Sequence, residues 1–236
     1  MKVLPYLAIA TFVAGIGMLV TGYVYRGSSN TPVVAPVTTF NVTPSATDTP
    51  LATATGAPSP TATPVPYNGA VSRFKIPKFN VDAAVENIGI LANNELDTPH
   101  DPHDVGWYGI YSKPGFDGNA VFSAHVDYYG LPPTQMPFHR LKELKAGDTV
   151  VVQMDNGLEY TYSVISFQRY AINNDGTTNY PVIKMGELIA AKDRPPGAQW
   201  ITLITCGNSG PFRYVSGNSG PVEYLTRDVV VAQRIS

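Results

Sequence analysis

From Gly27 to Pro66 the chain is written mostly in Thr, Pro, Ala, Ser and Val (VTPSATDTPLATATGAPSPTATPVP), with Asp48 as its only charged side chain. Such a tract cannot bury enough apolar surface to offset the entropy of ordering. Its prolines favour extended polyproline conformations, so it reads as a disordered, semi-stiff spacer. Asn41-Val42-Thr43 is a glycosylation sequon, a pattern common by chance. Before the tract, Pro5–Tyr25 is almost wholly apolar, without a charge, and flanked by Lys2 and Arg26. It is long enough to cross a bilayer as a helix. A retained anchor with the bulk of the chain outside is one reading, and a cleaved signal peptide is the other. The expected organisation is therefore an anchor helix over 1–26, an extracytoplasmic linker over 27–66 and one folded domain over 67–236.

The folded part, Tyr67–Ser236, is ample for a hydrophobic core. In the whole chain Lys and Arg number 16 against 18 Asp and Glu, for a net charge of −2. No basic stripe marks a nucleic-acid partner. Short runs rich in Val, Ile, Tyr and Thr predict strands at Val71–Ile76, Val81–Val85, Ala120–Ala124, Thr149–Met154, Leu158–Gln168, Trp200–Thr205 and Asp228–Ile235. Asp155-Asn156-Gly157 predicts a tight hairpin between two of them. Helical signal is confined to turns at Pro137–Leu144 and Pro181–Ala191. The fold class is mainly β, a sandwich or a barrel.

Cys206 is the only cysteine, at the end of the run Thr202-Leu203-Ile204-Thr205-Cys206. A lone thiol is either an inert small hydrophobe or a nucleophile, and a nucleophile needs a histidine and oxyanion donors. Four histidines are available. His100 and His103 lie in Pro99-His100-Asp101-Pro102-His103-Asp104, whose ligand types suit zinc but whose prolines also suit a solvated loop. His139 sits in an amphipathic turn, where packing is the default. His125 closes the apolar run Ala120–Ala124, where a strand leaves the core and catalytic groups are often carried.

The motif Thr202-Leu203-Ile204-Thr205-Cys206 has the form TLxTC and resembles the active-site strand of sortases, the cysteine transpeptidases of bacterial surfaces. Further matches follow in the family's order. They are Phe74–Asp82, Gly118–His125, Phe138–Asp148 with its LxxGD-like end, and Tyr224–Ala232 with Arg227. Gly106-Trp107-Tyr108, His125-Val126-Asp127 and Arg227-Asp228 are most like class F, with class E the near alternative.

The resemblance implies a closed β-barrel of about eight strands with short helices. It implies Cys206 as nucleophile, His125 as its acid–base partner and Arg227 as the oxyanion-stabilising cation. Arg213 and Arg234 compete with Arg227, but Arg213 sits in a Gly/Asn/Ser/Pro loop without the Val-rich strand that would hold a guanidinium rigidly. A backbone N–H near Cys206 is a second oxyanion donor in this reading. Thr205 either orients the site through its hydroxyl or merely favours a strand. Asp127 either hydrogen-bonds near His125 or caps a loop. The implied reaction cleaves an LPxTG-like sorting signal after Thr through a Cys thioacyl intermediate. The partners would be secreted proteins bearing that signal and an amine acceptor on a peptidoglycan precursor or another surface protein.

The expected location is the bacterial membrane, single-pass, with the catalytic domain outside. No organic cofactor is implied, and calcium, used by some sortases, has no carboxylate cluster here that requires it. Tyr170–Ala198 matches the family's variable connection that shapes the peptide groove. Two readings from other classes stand beside this one. Another extracytoplasmic cysteine peptide-bond enzyme, such as an L,D-transpeptidase, fits poorly with Thr205-Cys206-Gly207-Asn208. A stalked β-barrel that only binds would share the fold without the chemistry.

Overall fold

Alternation of side chains across the pleat sets which residues enter the core. On β5 (Thr149–Met154) Val150, Val152 and Met154 are buried, and on β6 (Glu159–Ala171) Tyr160, Tyr162 and Val164 are buried. Asp155-Asn156-Gly157 joins these two strands, with Gly157 at φ +85°, a conformation glycine adopts without steric cost. The computed structural model describes residues 65–236. The anchor and almost all of the linker expected from the sequence lie outside the described residues. Among those described, no helix is long and apolar enough to cross a membrane.

Eight strands close into a barrel. Besides β5 and β6 they are β1 (Val71–Ile76), β2 (Val81–Ile88), β3 (Val105–Tyr108), β4 (Gly118–Ser123), β7 (Gln199–Cys206) and β10 (Thr226–Arg234). Their order is β1-β2-β3-β4-β7-β10-β6-β5, with β5 returning to β1. The pairs β2–β3 and β4–β7 run parallel, and the others antiparallel. Closure leaves no open edge in this sheet. A separate hairpin is formed by β8 (Phe212–Tyr214) and β9 (Val222–Tyr224), and one short helix, α1 (Met185–Ala190), lies between β6 and β7.

The barrel interior is filled by Phe74, Phe122 and Phe138 with Val, Leu, Ile and Tyr around them. The ring centroid of Phe74 lies 5.1 Å from that of Phe122 and 5.5 Å from that of Phe138, both pairs tilted or edge-on as aromatic quadrupoles prefer. Truncating one of these rings to Ala would cost about 3–5 kcal/mol. A second, smaller cluster covers the outer wall: Ile88, Tyr108, Val121 and Ile204, with Met185, Leu188 and Ile189 of α1 against it. Asn119, buried on the same wall, donates to the Leu188 and Ile189 carbonyls at 3.4 and 3.0 Å and accepts from Thr202 Oγ1 at 2.9 Å. That bracket fixes α1 against β4 and β7.

Two elements depart from the sequence expectation. Val105–Tyr108 is a strand, but its four residues are all buried and show no alternation. The Gly/Asn/Ser-rich loop after Cys206 contains the β8–β9 hairpin, with strands of three residues each.

Candidate active site

Strands β4, β7 and β10 are neighbours, and their registers carry three of the candidate residues into one row. Arg227 pairs with Cys206 across β10 and β7. On the other side Ser123 pairs with Ile204 across β4 and β7; Cys206 lies two residues further along β7, and His125 two residues past the end of β4. Thr202, Ile204 and Cys206 alternate onto the outer face, opposite the core residues Ile201 and Leu203. His125, Cys206 and Arg227 accordingly line one groove, of about 710 Å³. Its walls include Leu96, Tyr111, Ile172, Met185, Ile189 and Ile204, so most of the lining is apolar. Three of these six, Ile172, Met185 and Ile189, come from the connection between β6 and β7 that the sequence singled out.

The groove is held by polar contacts behind it. Tyr108 donates its hydroxyl to the Asp97 carbonyl at 2.6 Å and lies 2.9 Å from Ser123 Oγ, and burial pushes this phenol up to about 12. Thr205 points inward and donates Oγ1 to the Ala124 carbonyl at 2.7 Å, tying the end of β7 to the residue before His125. Its hydroxyl therefore braces the strand ends that carry the candidates. His139 Nδ1 reaches the Val126 carbonyl at 3.1 Å and braces the segment just after His125.

His125 is half-buried. Its Nε2 faces the Pro99 carbonyl at 3.4 Å, and its ring meets Tyr128 edge-on at 5.2 Å. The hydrogen bond of the imidazole goes to Pro99 rather than to the thiol. Cys206 is also half-buried. Burial pushes its thiol up, Arg227 pulls it down, and Asp127, Asp228 and Glu223 push it up again.

Arg227 donates Nη1 to the Tyr224 and Thr226 carbonyls at 2.9 and 3.0 Å, which fixes the plane of the guanidinium. The amide of Gly207 donates to the Thr226 carbonyl at 2.9 Å. A Cβ on Gly207 would lie 2.1 Å from Thr226 Oγ1, so only glycine lets β10 approach this closely. The backbone N–H directly after Cys206 is thus engaged with β10. Asp127 accepts a hydrogen bond from the Tyr224 hydroxyl, across from the loop that follows β4. This contact bridges the loop to the β8–β9 hairpin.

The remaining candidates are elsewhere. Arg213 pairs with Glu223 at 2.6 Å across the exposed hairpin, and Arg234 bonds Gln199 Oε1 at 2.7 Å at the far end of β10. His100 Nδ1 lies 2.9 Å from Glu86, whereas His103 Nδ1 lies 2.9 Å from Asp101. Among the described residues no three His, Cys, Asp or Glu side chains converge as metal ligands.

Residues 74–233 match the family model described as the sortase domain. The chain belongs to the sortase family. It is a sortase transpeptidase of mainly β architecture, the closed eight-stranded barrel being the fold expected for it. Solved sortases are similar to it at low identity. The SrtA sortase from Actinomyces oris is 20% identical with a TM-score of 0.47, over 73% of this chain and 83% of that one. Sortase C1 from Streptococcus agalactiae is 21% identical with a TM-score of 0.44, over 72% and 69%. The sortase D5 transpeptidase from Clostridium perfringens is 14% identical with a TM-score of 0.45, over 71% and 79%. No curated protein sequence matches the chain.

Sequence reasoning missed Tyr224, Asn119 and the Arg169–Asp228 pair. Asp228 is 1% exposed and accepts from Arg169 Nε and Nη2 at 2.6 and 2.7 Å, one strand over from Cys206. The only available signal was Arg227-Asp228 inside a Val-rich run, since a charge at a core-facing strand position demands a partner.

Proposed function

We propose that this sortase cleaves an LPxTG-like sorting signal after its Thr and transfers the new acyl end to an amine acceptor of the cell envelope. The observation that carries the reading is that Cys206 on β7, Arg227 paired with it on β10, and His125 just past the end of the neighbouring β4 line one mostly apolar groove. In this reading His125 leaves the Pro99 carbonyl when peptide enters and takes the Cys206 proton, because the thiolate is the competent nucleophile. The sulfur attacks the Thr carbonyl carbon, and Arg227 stabilises the oxyanion with a charge that does not titrate. The imidazolium then gives its proton to the departing amine as the C–N bond breaks. The acceptor amine attacks the thioester, the C–S bond breaks, and Cys206 is regenerated. Apolar walls suit an uncharged peptide segment such as Leu-Pro.

The reading places the enzyme on a bacterial membrane through Pro5–Tyr25, with the 27–66 linker outside and the 67–236 domain at its end. His125-Val126-Asp127 supports class F within the family.

The experiment is turnover of LPxTG- and LAxTG-type peptides with triglycine as acceptor. The ligated product should form with the wild type and be lost with Cys206→Ala and His125→Ala. Alkylation of Cys206 without turnover of any such peptide would favour a barrel that only binds.

A further inference from the structure

One step further into the sheet from Cys206 and Arg227 lies a polar row. Asp228 pairs there with Thr205 on β7 and with Arg169 on β6. Arg169 spends its fork in two directions. Nε and Nη2 donate to the Asp228 carboxylate at 2.6 and 2.7 Å, and Nη1 donates to Ser209 Oγ at 2.8 Å. Ser209 belongs to the loop that follows Cys206. Its neighbour Asn208 accepts from Lys142 Nζ at 2.9 Å, so two cations grip this loop. Arg169 Nε also lies 3.3 Å from where a Cβ on Gly207 would stand, which packs the guanidinium against the residue after Cys206.

Stability alone does not account for this arrangement. An apolar pair of similar volume is often as stable as a buried ion pair, and Asp228 needs only one cationic partner. The third contact runs to an exposed serine, where water competes for the bond and the net gain to folding is small. What the fork does supply is alignment. It joins the residue after Arg227 to the third residue after Cys206, a bridge that the point charge of a lysine cannot span.

We propose that Arg169 is a positioning residue for the sortase reaction: by bridging Asp228 to Ser209 it fixes the loop after Cys206 against the strand that bears Arg227, and so sets the sulfur opposite the guanidinium. The proposal rests on the sortase reading above, in which Arg227 must meet the oxyanion formed on the carbonyl that the sulfur attacks. Arg169 does not line the groove and acts only through these neighbours.

Two variants of the full chain test it. Arg169→Lys keeps a cation beside Asp228 and gives up the bridge, whereas Ser209→Ala removes the bridge alone, at an exposed side chain. Both should keep the wild-type unfolding midpoint. Turnover of an LPxTG- or LAxTG-type peptide should fall in kcat by about tenfold for Arg169→Lys and about threefold for Ser209→Ala, with KM within about twofold, because a misplaced sulfur acts on the transition state. Alkylation of Cys206 by iodoacetamide forms no oxyanion and should stay within about twofold of wild type in both. Wild-type kcat in both variants, alkylation lost in step with kcat, or a kcat loss that follows a lowered unfolding midpoint would overturn the proposal alone. A wild type that cleaves no such peptide would overturn the sortase reading together with this one.

Discussion

Arg227 stands directly opposite Cys206 where β10 runs antiparallel to β7, with Nη1 bound to two backbone carbonyls. A strand pair is a rigid mount, so the fork keeps one orientation whether or not substrate is present. The Gly207 amide is spent on Thr226, so in the proposed reaction the guanidinium is the principal donor to the oxyanion.

Arg227→Ala should therefore lower kcat/KM for peptide cleavage by about 10²–10³. Arg227→Lys should recover little of it, because a point charge cannot reproduce the planar fork held by two carbonyls. Steady-state cleavage of a fluorogenic peptide reads both. A lysine variant close to wild type would show that charge alone suffices.

Cys206 should titrate above the ordinary thiol value in the free enzyme, because burial outweighs the pull of Arg227. The rate of alkylation by iodoacetamide should rise with pH through a midpoint above that of a free cysteine. Arg227→Ala should move the midpoint further up. Alkylation followed by mass across a pH series checks this, and a midpoint at or below that of free cysteine would contradict it.

Asp228 is buried with Arg169 as its ion-pair partner, and the two side chains are 1% and 11% exposed. Arg169→Met leaves a buried charge without a partner and should cost about 3–5 kcal/mol in denaturant unfolding. Adding Asp228→Leu removes that charge and should return most of the loss. A single variant as stable as the wild type would mean that the pair carries no structural weight.

The loop carrying Pro99 is pinned by Glu86, which accepts from the amides of His100 and Asp101 and from the His100 ring. Partial burial of Glu86 pushes its carboxyl up, but these contacts outweigh it and the net shift is downward, while Glu86 holds the His100 imidazole above its usual value. The carboxylate's contribution is complete above the ordinary Glu value and lost as pH falls through the lowered one. The imidazole's contribution is complete below the ordinary His value and lost as pH rises through the raised one. Both act together between about pH 4.3 and 6.5. Hydrogen exchange at His100 and Asp101, corrected for intrinsic rates, should be slowest in that window and faster at pH 8. Flat protection across the range would refute the pinning.

The parts of the fold legible in the sequence are those whose side chains alternate or end in a diagnostic turn. Val71–Ile76 and Thr149–Met154 are strands with the bounds the pattern predicts, and Asp155-Asn156-Gly157 is the hairpin turn. Val105–Tyr108 was illegible because a strand buried on both faces, four residues long, has no period to read. The site divides in the same way. His125 was nameable as a polar group at the end of an apolar run, whereas Cys206 and Arg227 were named as site residues through the resemblance to sortases. Tyr224 was not, because its contact with Asp127 joins the β8–β9 hairpin to a loop 97 residues away and leaves no mark in local sequence.

The central claim is that Cys206 carries an acyl group from a sorting peptide. Intact-mass measurement of the full chain incubated with LPxTG- or LAxTG-type peptide, without acceptor, tests it most directly. The account predicts an adduct of the peptide cleaved after Thr on the wild type, none on Cys206→Ala, and its discharge when triglycine is added. Peptide turnover that proceeds equally well in Cys206→Ala, or an adduct on another residue, would contradict it.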